Sequence, residues 1–361
     1  MTSAAIASDA SHHHTATLSN TPATQPRTHF VIGTRQSQLA MVQAEAVLAA
    51  LQKQHPTYTF TIHGMTTKGD KVLDTALSKI GSKSLFTKEL EVALANGTVD
   101  LVVHSLKDLQ TVLPEGMTVG AMTEREDPRD ALVVSIAGTA KGYITIEDLP
   151  DGSIVGSSSV RRIAQLKRRF PNLIFQDVRG NLNTRLSKLD APQGPYTALL
   201  LAYAGLHRLG WNDRISYVLP PDTMLHAVGQ GALGIECRED DVDTVRLLAP
   251  LDHWQTRVRC TAERSFMRYL EGGCSVPLGV WTELELDEEG VPKLIRLKGS
   301  VSKVDGSIEI REEAEAGLTG ERVADLEAAE ELGKRVGDMV VAKGARDILE
   351  DIKRRRVAPL D

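Results

Sequence analysis

Cysteine is scarce: Cys237, Cys260 and Cys274 are the only three in 361 residues, and they are widely spaced. An odd number at such spacing is no disulfide framework, and no Cys-x-x-Cys pair offers zinc a site. A reducing compartment is expected, which we take to be the cytoplasm. Aromatic residues make up only 4% of the chain, which argues against a base-stacking nucleic-acid platform. The formal net charge of −6 argues against a generally basic surface for DNA. No uninterrupted apolar run approaches the length of a membrane span. No Gly-x-x-x-x-Gly-Lys-Ser/Thr loop is present to cradle phosphate. Residues 1–28 are mostly Ala, Ser, Thr and His, without the order of a signal peptide or the arginines of a presequence. They are expected to be a disordered extension, with His12-His13-His14 inert.

What is present alternates between strand and helix patterns. Strands are expected near 30–34, 58–65 and 101–103, with helices near 38–52 and 85–95, which implies an α/β unit with a mainly parallel sheet. A charged, proline-bearing segment, Glu124-Arg125-Glu126-Asp127-Pro128-Arg129-Asp130, suits a hinge between domains. A second α/β unit follows, with strands near 131–135, 154–156, 173–175 and 198–202 and helices near 160–170, 181–189 and 204–209. Gly229-Gln230-Gly231 lacks nucleotide-binding spacing and reads as a tight turn feeding a strand. From about His253 the order changes to one helix near 256–270, three alternating segments, then helices near 322–343 and 345–353. Strands in succession followed by helices indicate an α+β unit with an antiparallel sheet.

The chain is organised around Asp100-Leu101-Val102-Val103-His104-Ser105-Leu106-Lys107-Asp108-Leu109. Its first half reads as a buried strand. Its second half sets His104, Ser105, Lys107 and Asp108 at or beyond the strand's carboxyl end, where ligands sit in open α/β sheets. A carboxylate beside an ammonium there can hold a proton or steady a developing cation. Between Asp151 and Arg214, ten cations face four anions, a local balance of +6 in an acidic chain. Lys167, Arg168 and Arg169 lie near a helix C-terminus, where cations complement the dipole. Arg161 and Arg162 instead follow Ser157-Ser158-Ser159 in a first turn, where the dipole disfavours cations. Hydroxyls, open amides and two guanidiniums there form an anion site. Arg179-Gly180-Asn181 with Arg185 repeats the arrangement, as do Arg35 and Ser37 after the first strand. Forked guanidiniums suit carboxylates as well as phosphates, and without a phosphate loop a polycarboxylate fits better. Cys237 and Cys260 read as small buried hydrophobes. Cys274, after Gly272-Gly273, is either an incidental residue in a C-capping turn or a covalent attachment site.

Several separated motifs together resemble the hydroxymethylbilane synthase (porphobilinogen deaminase) family over about residues 30–353. They are Gly33-Thr34-Arg35-Gln36-Ser37-Gln38-Leu39-Ala40, Lys68-Gly69-Asp70, Lys83-Ser84-Leu85-Phe86-Thr87-Lys88-Glu89-Leu90, Val103-His104-Ser105-Leu106-Lys107-Asp108, Ser158-Ser159-Val160-Arg161-Arg162, Arg179-Gly180-Asn181, Val228-Gly229-Gln230-Gly231-Ala232 and Glu271-Gly272-Gly273-Cys274. The resemblance implies two α/β domains of the periplasmic-binding-protein type II kind flanking a cleft, plus a C-terminal α+β domain with a three-stranded antiparallel sheet. The expected division is 29–124 with 227–249, then 129–226, then 253–361. It implies stepwise condensation of four porphobilinogens, each losing ammonia, into the linear tetrapyrrole hydroxymethylbilane. The implied cofactor is dipyrromethane, one per chain, joined by a thioether at the position matching Cys274. Asp108 then matches the catalytic carboxylate, which would share the charge of the azafulvene left when ammonia departs. Cofactor contacts are implied for Ser105, Lys107, Ser157, Ser158, Ser159, Arg161, Arg162, Arg179, Arg185 and Gln230. Substrate contacts are implied for Arg35, Ser37, Lys83 (a mobile-loop lysine) and Arg208. No metal is implied. Gln110 departs from the family's usual proline, which predicts a looser loop, and Ser157 stands where some members have threonine.

Two other readings compete. A non-catalytic solute-binding protein would use the same two-lobed cleft, and the missing export signal argues against it. A nucleic-acid module would use the +6 stretch, and the acidic total argues against that. The expectation is therefore a monomeric cytoplasmic transferase acting on a small molecule, with neither nucleic acid nor membrane as partner.

Overall fold

The computed structural model describes residues 27–67, 69, 87–271 and 276–357. Most of the expected N-terminal extension lies outside the described residues, as do Lys68, Asp70, Lys83 and Cys274 with its flanking Gly272, Gly273 and Ser275.

The chain opens with β1 (His29–Arg35), α1 (Gln38–Gln54), β2 (Thr59–Met65), α2 (Lys88–Ala95), β3 (Leu101–Ser105), a 3-10 turn (Leu106–Asp108) and β4 (Met117–Met122). It continues through β5 (Asp130–Val134), α3 (Ile136–Thr139), β6 (Ile154–Gly156), α4 (Val160–Arg169), β7 (Ile174–Gln176), α5 (Leu182–Leu189), β8 (Ala198–Ala202), α6 (Tyr203–Arg208) and β9 (Tyr217–Val218). Then come β10 (Leu233–Arg238), α7 (Val242–Leu248), α8 (Trp254–Tyr269), β11 (Leu278–Leu286), β12 (Pro292–Ser302), β13 (Glu309–Gly317), α9 (Arg322–Ala342) and α10 (Ala345–Val357).

The first sheet has the order β2-β1-β3-β10-β4, so β10 returns to it after the second sheet has been built. β1 pairs in parallel with β2 and β3, while β10 runs antiparallel to both of its neighbours. The second sheet, β7-β6-β8-β5-β9, is likewise half parallel and half antiparallel. Both sheets are therefore mixed, where alternation in sequence predicts mainly parallel ones. The cause is that each sheet receives a strand from one of the two crossing segments. Leu101, Val102 and Val103 of β3 are all buried, as befits a central strand covered on both faces, each contributing roughly 1.5–3 kcal/mol.

The two crossing segments run side by side: Glu126 N donates to Gly231 O at 3.3 Å, and Thr123 N to Leu233 O at 3.1 Å. Gly231 has φ +91°, and a Cβ there would lie 2.3 Å from Glu126 O, so only glycine lets them pass this closely. The third sheet is antiparallel, β11-β12-β13, with α8 and α9 packed on it around Phe266, Leu297, Leu332 and Val336. Gly333 lets α9 lie directly on α8, since a Cβ would come within 2.5 Å of Ala262 O. These are the two mixed α/β lobes and the C-terminal antiparallel sheet of the expected fold class. Among the described residues no helix is long and apolar enough to cross a membrane.

Candidate active site

The carboxyl ends of β1, β3 and β8 and the starts of α1 and α5 converge on a cavity of about 280 Å³ between the first two sheets. Its wall carries Arg35, Lys107, Arg162, Arg179, Arg185 and Arg208, with Ser37, Ser105, Asn181, Asn183 and Gln230 between them. Asp108 is the only carboxylate on that wall among the described residues. The termini of α1 and α5 add the positive ends of two helix dipoles. Ser37 caps α1 by accepting from Ala40 N at 3.4 Å.

Each cation is held from its own element. The strand runs two residues further than expected, burying His104 against Glu236 of β10 at 2.9 Å, so His104 faces away from the chemistry. Ser105 exchanges hydrogen bonds with the Gln43 amide at 3.0 and 3.2 Å. Asp108 then ends the 3-10 turn, exposed, beside Lys107. Burial brings the Lys107 ammonium down to about 8, Asp108 working against that fall and Arg162 with it. Gly180, at φ +111°, turns its carbonyl to accept from Arg185 Nε at 2.8 Å. Burial, then Arg162 and Arg179, lower Arg185 to about 10. Arg208, also lowered by burial, donates to Gly231 O at 2.5 Å. Cations that loosen one another's protons around an open cavity are poised for a multiply charged anion.

Arg161 does not join that wall. Its Nη1 donates to Asp130 Oδ2 at 2.8 Å and to Leu225 O at 2.6 Å. Arg162 reaches the cavity but is also tied, Nε to Asp130 Oδ1 at 3.0 Å and Nη1 to Leu200 O at 2.8 Å. The anion that these two first-turn arginines require is therefore the chain's own Asp130. Burial would raise that carboxyl, but Arg161 and Arg162 outweigh it and hold it well below the usual range. Ser157, Ser158 and Ser159 are not on the cavity wall either. Ser157 Oγ accepts from Ser159 N at 3.2 Å, Ser158 Oγ donates to Val178 O at 2.6 Å, and Ser159 Oγ caps α4 through Arg162 N at 3.4 Å. Gln230 Nε2 donates to Pro128 O at 2.7 Å and to Asp130 Oδ1 at 2.9 Å, joining both crossing segments. Lys83 and Cys274 lie outside the described residues.

Sequence reasoning missed two buried anions. Asp130 was placed in a hinge; it opens β5 with 1% exposure. Glu263 of α8 takes Arg125 at 2.6 and 3.0 Å, Gly229 N at 2.9 Å and Thr282 Oγ1 at 2.8 Å. Burial raises that carboxyl, but Arg125, with His226 and the Gly229 N–H, together outweigh it and leave it near 2. The pair bolts the third sheet's helix to the crossing segments. Cys237 and Cys260 are buried, and burial pushes both thiols up to about 11, so neither is a nucleophile.

Two mixed α/β lobes that meet at a cationic wall around one carboxylate define a two-lobed cleft protein with the side chains to hold an anion. The family model "Porphobilinogen deaminase, dipyromethane cofactor binding domain" matches residues 30–246, and "Porphobilinogen deaminase, C-terminal domain" matches 257–342. Porphobilinogen deaminase of Gloeobacter violaceus is 53% identical over 323 residues, 89% of this chain and 93% of that protein. Its namesake from Nostoc sp. is 50% identical over 321 residues, 89% of this chain and 94% of that one. The extracellular-binding protein ytmK of Bacillus subtilis, a probable amino-acid ABC transporter component, is a distant structural likeness: 14% identity and a TM-score of 0.36 over 62% of this chain and 91% of that one. The chain belongs to the porphobilinogen deaminase family, enzymes of the transferase class, and carries that family's dipyrromethane cofactor-binding domain.

Proposed function

We propose that the chain joins four porphobilinogen molecules head to tail, losing one ammonia at each joining and releasing linear hydroxymethylbilane. The observation that carries this reading is the cavity wall of six cationic side chains around Asp108. Each pyrrole unit brings an acetate and a propionate, so a growing chain brings many carboxylates to that wall. The donor set fits a dipyrromethane for the same reason. When bound through a Cys274 thioether, that group would supply the end to which each unit is added.

The chain's residues take these roles. Arg35, Arg179, Arg185, Arg208 and Lys107 hold carboxylates, helped by Ser37 and Ser105 and by the cavity-facing edge of Arg162. Asp108 passes a proton to the substrate's aminomethyl nitrogen, so that ammonia leaves. Its carboxylate then opposes the positive charge spreading through the pyrrole N–H, and it takes the proton lost from the ring carbon. Arg161 and Gln230 act through Asp130 as positioning residues, and Ser157, Ser158 and Ser159 fix the start of α4. Lys83, as a mobile-loop lysine, and Cys274, as the tether, rest on the family resemblance. The same reading divides the chain into 29–124 with 227–249, 129–226 and 253–361, and has it act in the cytoplasm as a monomer.

Intact mass tests the tether. Protein from cells that supply porphobilinogen should carry the mass of two linked pyrroles, and Cys274→Ser should not; an unmodified parent chain rejects the reading. Asp108→Asn should keep the fold and the bound cofactor but lose turnover by about 10²–10³-fold. Near-normal turnover would remove Asp108 from the chemistry.

A further inference from the structure

The helix that leads to Cys274 also grips the catalytic turn. α8 ends at Tyr269, five residues before Cys274. Its inner face packs on the turn that carries Asp108, Cys260 sharing one buried cluster with Leu106 and Leu109. One turn further along, Arg264 donates from Nη1 to Leu109 O at 3.2 Å and from Nη2 to Gln110 O at 2.6 Å. A turn beyond that, Arg268 donates to Thr111 O at 3.4 Å and pairs with Glu330 of α9. Three successive carbonyls, beginning at the residue after Asp108, are thus held by two arginines at i, i+4 spacing on one helix.

Arg264 is only 7% exposed, and among the described residues no carboxylate lies within ion-pair distance of it. Taking a guanidinium out of water without a counter-ion is costly, and burial lowers its pKa to about 10. A buried cation spent on main-chain carbonyls fixes position, not charge. At its far end the helix is also anchored. Glu271 leaves it at φ +49°, the one non-glycine in the left-handed region among the described residues, and Lys353 holds its carboxylate at 2.5 Å.

We infer that Arg264 and Arg268 are positioning residues that fix the Asp108 turn against α8, the helix that precedes Cys274 in the sequence. The inference rests on the proposed roles of Cys274 and Asp108. Without the clamp, the turn is tied mainly to itself and its own lobe, through Leu109 N to Leu106 O at 3.2 Å and Leu106 N to Ala232 O at 3.0 Å. A misplacement of about 1 Å at a reacting centre costs on the order of 100-fold in rate. The carboxylate-holding arginines sit on other elements, so substrate affinity stays.

The test uses full-length Arg264→Met and Arg264→Lys. Arg264→Met should still carry the two-pyrrole mass and keep its KM, while kcat falls on the order of 100-fold; Arg264→Lys, which keeps a donor, should recover part of it. In the Cys274→Ser background, amide exchange across residues 106–113 should rise with Arg264→Met and less with Arg264→Lys. A loaded Arg264→Met with wild-type kcat and unchanged exchange overturns the inference alone. A wild-type chain without the added mass overturns the tether reading and takes the inference with it. If Arg264→Met does not fold, half-exposed Arg268→Met replaces it: a lower kcat at constant KM supports the clamp, and an unchanged kcat overturns it.

Discussion

Replacing Asp130 by alanine removes a buried anion on which the second lobe and both crossing segments meet. Its carboxylate accepts from Arg161 Nη1 at 2.8 Å, Arg162 Nε at 3.0 Å and Gln230 Nε2 at 2.9 Å, with Arg162 Nη2 in ion-pair contact at 2.7 Å. The Arg161 and Arg162 side chains are only 6% and 8% exposed, so water cannot take the carboxylate's place. Removing one partner of a buried pair costs about 3–5 kcal/mol, because the charge left behind stays buried. Against a total stability of about 5–15 kcal/mol, that is enough to unfold a large share of the molecules on mild heating. The pH dependence has a definite sign. The Asp130 carboxyl is lowered on folding, so its stabilisation is complete above its unfolded value of about 3.9 and fades on acidification below it. Urea unfolding followed by tryptophan fluorescence should show the full deficit of Asp130→Ala at pH 7 and a smaller one in acid. Adding Arg161→Met and Arg162→Met should restore part of the loss, since no buried charge then lacks a partner. Asp130→Ala within about 0.5 kcal/mol of wild type at pH 7, the usual range for a surface change, would refute the buried-hub account.

Lys107 should lose its charge as pH rises past about 8. kcat/KM for porphobilinogen should therefore fall on the alkaline side, and Lys107→Arg, always charged, should flatten that limb; an unaltered limb rejects the role. Glu263, near 2 in the folded chain against an ordinary 4.5, contributes stability above about 4.5 that drains away as pH falls toward 2. Glu263→Gln should lower stability by about 3–5 kcal/mol at neutral pH and shrink that acid sensitivity, as read from thermal unfolding across pH; an undiminished acid limb contradicts it. Gly231→Ala should destabilise more than Gly290→Ala. Both positions are left-handed, at φ +91° and +80°, but only at Gly231 would the new Cβ strike backbone, 2.3 Å from Glu126 O. Equal melting temperatures for the two variants would mean that the crossing segments are not in contact.

Regular elements were legible because their signals are local. The apolar run Ala198–Ala202 and the alternating Leu278–Leu286 stand where pattern alone puts them. β4 (Met117–Met122) was not anticipated, because Met-Thr-Val-Gly-Ala-Met carries little alternation and is made a strand by β10 returning beside it. β9, two residues long, exists only as an edge to β5. The mixed character of both sheets has the same origin. Which way a strand runs depends on which sheet a crossing segment delivers it to, and no window of a dozen residues contains that.

The candidate site divides along the same line. Strand-end positions found Arg35, Lys107, Asp108, Arg179 and Arg185, the family resemblance added Arg208, and the fold brings all six to one cavity. Arg161 was assigned to a ligand because its first-turn placement demands an anion, and that demand was real. The anion, Asp130, stands 31 residues earlier in a segment whose mixed charges read as a solvated hinge. A window drawn at Asp151–Arg214 counted +6 and left Asp130 outside it. One of those charges is cancelled before any ligand arrives, because the single Asp130 carboxylate is shared by Arg161 at 2.8 Å and Arg162 at 3.0 Å. The cationic surplus that faces the cleft is therefore smaller than composition suggests and is drawn from both lobes, with Arg35 and Lys107 on one side and Arg179, Arg185 and Arg208 on the other. Opening or closing the lobes must then change how many carboxylates the wall can satisfy at once, a dependence that a single-lobe cluster would not have.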